Sequence, residues 1–241
     1  MSETNSTTPV SQQKPKKKEG LLGNLLLNIV IPTLVLTKLS GDDWLGTKWA
    51  LVVALAFPLG YGLRDLIRSG KVNFFSALGI ISIMLTGGIS LLELDPQYIA
   101  IKEAAIPGLL GIATVASLYT RWPLVKTLLY NDQILDTDKI AQSLASKGNQ
   151  GAFDRTLQQA SWMIAASFFL SSVLNYVLAK IILQSPPGTE AFNEELGKMT
   201  ALSYPVIALP ATIILMLVLF FLFSRIGKLT GLKLEEVMIA Q

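Results

Sequence analysis

Cysteine and histidine are both missing from the 241 residues of this sequence. Their absence excludes disulfides, thiol chemistry, iron–sulfur clusters, histidine-ligated zinc and catalytic triads built on histidine. Charged residues are also scarce, at 15% against roughly 25% in an ordinary soluble domain. The paired-Asp motifs of lipid transferases and the His-bearing motifs of lipid phosphatases and rhomboid-type proteases are absent as well. We therefore expect no enzyme: no catalytic residue, no cofactor and no metal site.

Apolar residues dominate what is present. They make up 51% of the chain, and the mean hydropathy is +0.50. Because about 20 mostly apolar residues are needed to cross about 30 Å of hydrocarbon, each long apolar run predicts a membrane-spanning helix. Six runs qualify: residues 21–39, 47–63, 72–92, 99–120, 160–183 and 201–224. The sequence predicts an all-α, polytopic membrane bundle of six transmembrane helices.

The basic residues predict how this bundle is oriented. The net charge of only +3 gives no reason to expect a nucleic-acid partner. With the N-terminus in the cytoplasm, fifteen of the 20 Lys and Arg residues fall in cytoplasmic segments and five fall on the other side. Cytoplasmic loops of membrane proteins carry such an excess. We predict a multi-pass protein of the bacterial inner membrane with both termini cytoplasmic.

The two ends of the chain differ from the apolar middle. Residues 1–19 are polar and basic, and they predict a disordered tail because they have little apolar surface to bury. The apolar run that follows is too long for the core of a signal peptide and lacks a small-residue cleavage site, so we interpret it as a retained first helix. The transmembrane domain covers residues 20–228. Residues 229–241 show a short amphipathic pattern and are expected to form a lipid-facing cap.

The connection between the fourth and fifth runs is about forty residues long, which is more than a compact bundle needs. Asp136 or Thr137 can cap one short helix there, and Gly148 can end it. A second short helix is expected to start near Gly151. We expect both helices to lie on the inner leaflet through their apolar residues, or to dock a cytoplasmic partner; those residues are Ile140, Leu144, Phe153 and Leu157.

Prolines indicate the candidate binding site. A proline within a helix cannot donate a backbone hydrogen bond, so the carbonyl four residues earlier needs another partner. Pro32 frees the backbone carbonyl of Asn28, and Pro107 frees that of Glu103. Each freed carbonyl belongs to a residue with a polar side chain. Such pairs of oxygens coordinate cations or polar substrates in transporters. Together with Asn175, on the Ser- and Asn-bearing fifth helix, these residues form the predicted substrate site.

Structural interpretations compete with this one. Asn28 can simply bond a neighbouring helix, and Glu103 can mark the outer boundary of the membrane, because the uncharged stretch after it is roughly 25 Å long. Lys102 adjoins Glu103 but points about 100° away on a helix, so the two are not an obvious pair. The breaks shared by the first and fourth helices also suggest a three-plus-three inverted repeat.

Short motifs around the fourth predicted helix carry a family resemblance. They are an acidic-Pro turn, a Lys-acidic pair, a Pro-containing segment and an Arg-x-Pro exit, in residues 94–98, 101–103, 107–110 and 117–124. Through them the sequence, over residues 25–234, resembles a bacterial family of six-helix inner-membrane proteins related to intracellular septation protein A. The resemblance implies a role in envelope synthesis or division, while some relatives are labelled transporters. It implies no catalytic residues.

Two functions follow from these observations. The first is a membrane protein that transports or binds a small polar solute or a lipid headgroup. The alternative is a non-transporting interaction protein of the envelope or septation machinery. Its partners would be the lipid bilayer and either a second copy of the chain, as a homo-oligomer, or another envelope protein. A polar cavity favours the first function, whereas a closed bundle packed on Gly and Ser favours the second.

Overall fold

Helices make up the regular structure of the part of the chain that the computed structural model describes. That part is residue 23 and residues 25–69, 74–120, 123–130 and 135–238. Its only pairing of extended segments is one antiparallel bridge, Leu135 with Met238. The all-α class is confirmed here, and the predicted tail, residues 1–19, lies outside these ranges. The helices are α1 (Leu26–Lys38), α2 (Gly46–Ser69), α3 (Phe74–Leu91), α4 (Gln97–Ser117), α5 (Leu124–Leu129), α6 (Thr137–Ser146), α7 (Gln150–Ile182), α8 (Glu190–Thr230) and α9 (Leu234–Val237).

Four of these helices are long and apolar enough to cross a membrane: α4, α7, α8 and the Gly46–Arg64 part of α2. α1 and the Ala77–Leu91 part of α3 are shorter apolar helices. Large apolar side chains face outward, for example Phe220 on α8, which is 73% exposed. Apolar residues on all sides of a helix are typical of a membrane span. The fold is therefore that of a helical membrane protein, with six spans remaining a prediction.

α4 and α7 form the most extensive helix pair, and small residues set how closely they approach. A Cβ atom added at Gly111 of α4 would lie 2.9 Å from the Phe169 ring of α7, and one at Gly108 would lie 3.2 Å from the Ser172 hydroxyl. Ser172 also donates a hydrogen bond to the carbonyl of Ala104 (2.7 Å). Close backbone approach and interhelical hydrogen bonds are the usual way membrane helices associate.

The first half of α8 packs against α1 in a similar way. A Cβ atom at Gly197 would lie 2.9 Å from Thr37, so the two backbones are nearly in contact. One turn earlier, the buried amide of Asn193 donates to the carbonyl of Thr47 (2.7 Å) and to the hydroxyl of Ser40 (3.1 Å). These bonds fix α8 to the connection between α1 and α2. Asn193 lies about 150 residues from Ser40 and Thr47 in the sequence, so only the tertiary fold brings them into contact.

α6 confirms the helix predicted in the long connection. The side chain of Asp136 accepts a hydrogen bond from the backbone N–H of Lys139 (3.0 Å), as an N-cap should. Ile140 and Leu144 are buried, and Gly148 ends the element with φ of +65°. The positive φ explains why glycine is the residue that stops this helix.

The second short helix of that connection was a wrong prediction, because it does not exist as a separate element. α7 runs without interruption from Gln150 to Ile182, so this helix begins ten residues before the predicted fifth span. After Gly151 this stretch contains neither Gly nor Pro, and nothing in it stops a helix. Phe153 and Leu157 are buried within the protein instead of lying on a leaflet.

The apolar residues of the connection pack on the end of the chain. Together, α6, α9 and the adjoining ends of α7 and α8 form what we call the cap. Its buried residues include five from the connection and α7 and three from α8 and α9: Leu135, Ile140, Leu144, Phe153, Leu157, Leu222, Ile226 and Val237. This cluster buries the apolar face of the connection, which was expected to lie on the inner leaflet or to dock a cytoplasmic partner. It also buries Val237 of the C-terminal segment that was expected to face lipid. Burial against each other removes the same surface from water without a membrane.

The prediction that residues 229–241 face lipid is likewise corrected, as far as the described residues reach at residue 238. α8 extends to Thr230 and is closed by Gly231 with φ of +71°. The following α9 turns back, so that Val237 is 2% exposed and its carbonyl accepts the N–H of Asp136 (2.9 Å). An amphipathic pattern of this length predicts that one face is buried, but it does not show whether lipid or another part of the protein covers that face. Residues 239–241 lie outside the described ranges.

Candidate functional site

Two widened helical turns mark the candidate site. α1 begins with a π turn at Leu26–Val30, and α8 contains a second π turn at Tyr204–Ala208. In each, the N–H after the turn bonds the carbonyl five residues earlier, and a proline follows one residue later: Pro32 in α1 and Pro210 in α8. Because proline has no N–H, the carbonyl four residues before each of these prolines loses its α-helical donor. π turns are frequent at functional sites.

The positions of these turns differ from the pattern of helix breaks on which the suggested repeat is based. Pro107 lies inside α4 and Pro58 inside α2, and both helices continue as α-helix through them. The π turn that resembles the one in α1 therefore lies in α8 and not in α4. This pairing gives no support to a repeat that relates the first and fourth helices.

Both π turns border one cavity of about 370 Å³. α1 contributes one residue, α4 and α7 contribute one each, and the rest come from α8 around its π turn. Glu103 and Asn175, two residues of the predicted site, line it together. The full lining is Ile29, Glu103, Asn175, Met199, Thr200, Ser203, Tyr204, Ile207 and Ala208.

The uncharged polar groups of this lining present mainly acceptor atoms. The hydroxyls of Thr200 and Ser203 donate to carbonyls one turn earlier in α8, at 2.9 and 2.8 Å, so their lone pairs remain for a ligand. The amide nitrogen of Asn175 donates to the carbonyl of Ser171 (2.7 Å), and no group in the described ranges donates to its Oδ1. A cavity of this kind is suited to a ligand that carries hydrogen-bond donors.

Glu103 adds the only charge among the lining residues. Its Oε1 lies 2.7 Å from the Nζ of Lys102, and its side chain is 27% exposed. No group in the described part of the chain donates to its second oxygen, Oε2. Lys102 and Glu103 do pair, although the sequence did not make this pairing obvious. The flexible four-carbon stem of a lysine can bring its ammonium back to a neighbouring carboxylate although the two Cα–Cβ bonds diverge.

Lys102 is held by α3 as well as by Glu103. Its side chain is only 7% exposed, and Nζ lies 2.6 Å from the Thr86 hydroxyl, 3.1 Å from the Ser82 hydroxyl and 3.4 Å from the Ser82 carbonyl. Thr86 in turn donates to the Ser82 carbonyl (3.0 Å). A buried ammonium needs such partners because desolvation penalises the charged form strongly. Sequence reasoning missed Ser82 and Thr86, although two hydroxyls four residues apart on an apolar helix are a readable signal.

The other predicted site residues lie around this cavity without lining it. Asn28 is half-buried on the first π turn, next to the lining residue Ile29. Pro32 is buried in α1, and Pro107 is half-buried in α4, one turn after Glu103. Tyr204, a lining residue that sequence reasoning did not single out, begins the second π turn. In the described ranges no three Asp or Glu residues converge as a metal site would require.

A second large pocket has a different chemistry. It measures about 490 Å³ and lies among α4, α5, α7 and α8. Apolar side chains line it apart from Thr114, whose hydroxyl is already bonded to the carbonyl of Leu110 (2.8 Å). This pocket offers no polar group for recognition, so the cavity at Glu103 is the candidate site.

Comparisons with protein-family models, with curated proteins and with solved structures find no match for this chain. The resemblance to the septation protein A group therefore remains a prediction from short motifs. The functional argument has to rest on the cavity and its side chains.

Proposed function

We propose that this chain is an integral membrane protein that binds a small cationic solute in the cavity at Glu103 and carries it across the bilayer. One observation carries the proposal: Glu103 Oε2 and Asn175 Oδ1, two acceptor oxygens without a donor in the described ranges, line one cavity. Acceptor oxygens that line a cavity and have no donor from the protein can bind a ligand that carries hydrogen-bond donors.

The chemistry of the lining narrows the solute class. A carboxylate is the sole charged group of the lining, and the hydroxyls of Thr200 and Ser203 expose lone pairs. An alkylammonium ion offers both a positive charge and several N–H donors, which match these acceptors. The volume of about 370 Å³ lies at the small end of the range for ligand pockets. We infer a small primary or methylated amine rather than a bulky lipid headgroup.

The π turns support transport in addition to binding. Discontinuous helices whose freed carbonyls face a binding site are a recurring device of membrane carriers. Here α1 and α8 each contain a π turn beside the cavity, and a proline follows closely after each turn. A turn that already departs from the α-helix is a natural point for one half of a helix to move relative to the other.

The rival proposal is the envelope or division interaction protein of the inner membrane. It is expected to have a closed bundle packed on small residues, and the α4–α7 pair has that character at Gly108 and Gly111. A scaffold has no use for acceptor groups around a cavity of this size, however. The cavity at Glu103 therefore favours the solute proposal.

The test is uptake of radiolabelled methylammonium by proteoliposomes that contain the full chain, with acetate as an anionic control solute. We expect saturable methylammonium uptake, its loss in Glu103→Gln and its reduction in Asn175→Ala. The matched control is Glu194→Gln, because Glu194 is an exposed residue of α8 paired with Lys198 at 3.5 Å. Uptake that is absent, or equal in Glu103→Gln and Glu194→Gln at equal amounts of folded protein, contradicts the proposal.

A further inference from the structure

The carboxylate of Glu103 lies between two environments. One oxygen, Oε1, contacts the ammonium of Lys102, which is almost fully buried against α3. The other oxygen, Oε2, has no donor in the described ranges, and the residue lines the cavity. A cation that enters the cavity therefore meets a carboxylate that an internal cation already partly neutralises.

The ammonium of Lys102 does not depend on Glu103 alone. α3 supplies three further acceptors within 3.4 Å: the hydroxyls of Thr86 and Ser82 and the carbonyl of Ser82. An ammonium has three N–H donors, so these α3 groups can satisfy it when its contact with Glu103 weakens. The carboxylate can thus shift from the internal cation towards a solute without leaving Lys102 unpartnered.

We propose that Lys102 is a built-in competitor for the cationic solute and sets the affinity of the Glu103 site. The inference rests on the proposed function, since it presumes that the cavity binds a cation. A solute bound to Oε2 is separated from the Lys102 ammonium only by the carboxylate of Glu103. Like charges at that separation repel, and the burial of Lys102 limits screening by water. The internal ammonium thereby lowers the affinity and speeds solute release.

This arrangement suits a carrier better than a storage site. A carrier has to release its solute on the far side, and a carboxylate without an internal cation would hold an amine more tightly. Most affinity changes within one site appear in the dissociation rate. Lys102 acts on affinity through Glu103 and does not line the cavity, so it is a specificity-determining and positioning residue.

The test is a titration of the full chain, in lipid nanodiscs, with methylammonium. Isothermal calorimetry measures the affinity, and stopped-flow tryptophan fluorescence measures the dissociation rate. Lys102→Met removes the charge and keeps a long apolar side chain. We expect it to bind methylammonium at least about tenfold more tightly than the unmodified protein, with a correspondingly slower dissociation rate. Lys102→Arg and the surface control Lys198→Met are expected to leave the affinity within about twofold.

The outcomes separate the two proposals. Binding by the unmodified protein that Lys102→Met leaves unchanged or weakens overturns the competitor role and leaves the proposed function standing. Binding that appears only in Lys102→Met supports the competitor role. No binding in either protein overturns the proposed function and the competitor role with it. Lys102→Gln is the second variant if Lys102→Met does not yield folded protein, because Gln keeps an uncharged donor for Thr86. We expect Lys102→Gln to give the same gain in affinity. Its failure to do so counts against the inference.

Discussion

The buried pair of Lys102 and Glu103 makes a quantitative prediction about stability. The perturbation is a double-mutant cycle of Lys102→Met, Glu103→Gln and the two changes combined. At the observed N–O distance of 2.7 Å and an effective dielectric constant of about 20, Coulomb's law gives a gross attraction of about 6 kcal/mol. Desolvation of the ammonium and the partial exposure of Glu103 offset much of this value. We expect a coupling energy of about 2–3 kcal/mol.

The two single variants should differ because the partners are buried unequally. Glu103→Gln leaves an ammonium that is only 7% exposed with neutral acceptors, and we expect it to lower the free energy of unfolding by about 3 kcal/mol. Lys102→Met leaves a carboxylate that is 27% exposed and borders the cavity, so its cost should be smaller, about 1–2 kcal/mol. The order of the two losses is as diagnostic as their size.

The assay is reversible unfolding of the purified protein in mixed micelles, monitored by tryptophan fluorescence. The exposed pair Lys198 and Glu194 serves as the matched control, with an expected coupling of about 0.3–0.5 kcal/mol. A coupling at the buried pair no larger than the control, or a greater loss in Lys102→Met than in Glu103→Gln, would refute the reasoning.

Two further predictions concern packing. Gly111→Ala should destabilise the protein by about 1–2 kcal/mol in the same unfolding assay, because overpacking against Phe169 outweighs the gain in helix propensity. Gly88→Ala is the control and should be neutral or stabilising, since no heavy atom lies near its added Cβ. Equal effects would show that the α4–α7 contact tolerates a methyl group. Val237→Asp should open the cap and raise hydrogen exchange of α6 amides at least tenfold, while Met238→Asp, at a side chain that is 46% exposed, should not.

The sequence predicted the features that depend on local chemistry. The Asp136 cap, the buried faces of Ile140 and Leu144 and the stop at Gly148 need only a few neighbouring residues, and all are confirmed. The helical class follows equally from apolar runs that no soluble fold can bury. Boundaries were less accurate, since nothing in the residues after Gly151 shows where a cytoplasmic extension becomes a span.

Features that depend on a distant partner were missed. The Lys102–Glu103 pair is possible because Ser82 and Thr86 of α3 hold the ammonium in place, and neither was identified beforehand. Periodicity gave the direction of each Cβ but not the path of a long side chain. The role of the second π turn was missed for a related reason: a proline shows where a helix can break but not which cavity the break borders.

The cap has a consequence for the order in which the protein can fold. Leu135 pairs with Met238, and the cap core needs Leu222 and Ile226, so the apolar face of α6 is complete only after about 100 more residues have been synthesised. A ribosome adds roughly 5–20 residues per second, so this face waits for several seconds or more. During that interval Ile140 and Leu144 are available to chaperones or to proteases. The cap thus closes late in biogenesis, and its closure reports that the last helix has been made and has arrived in place.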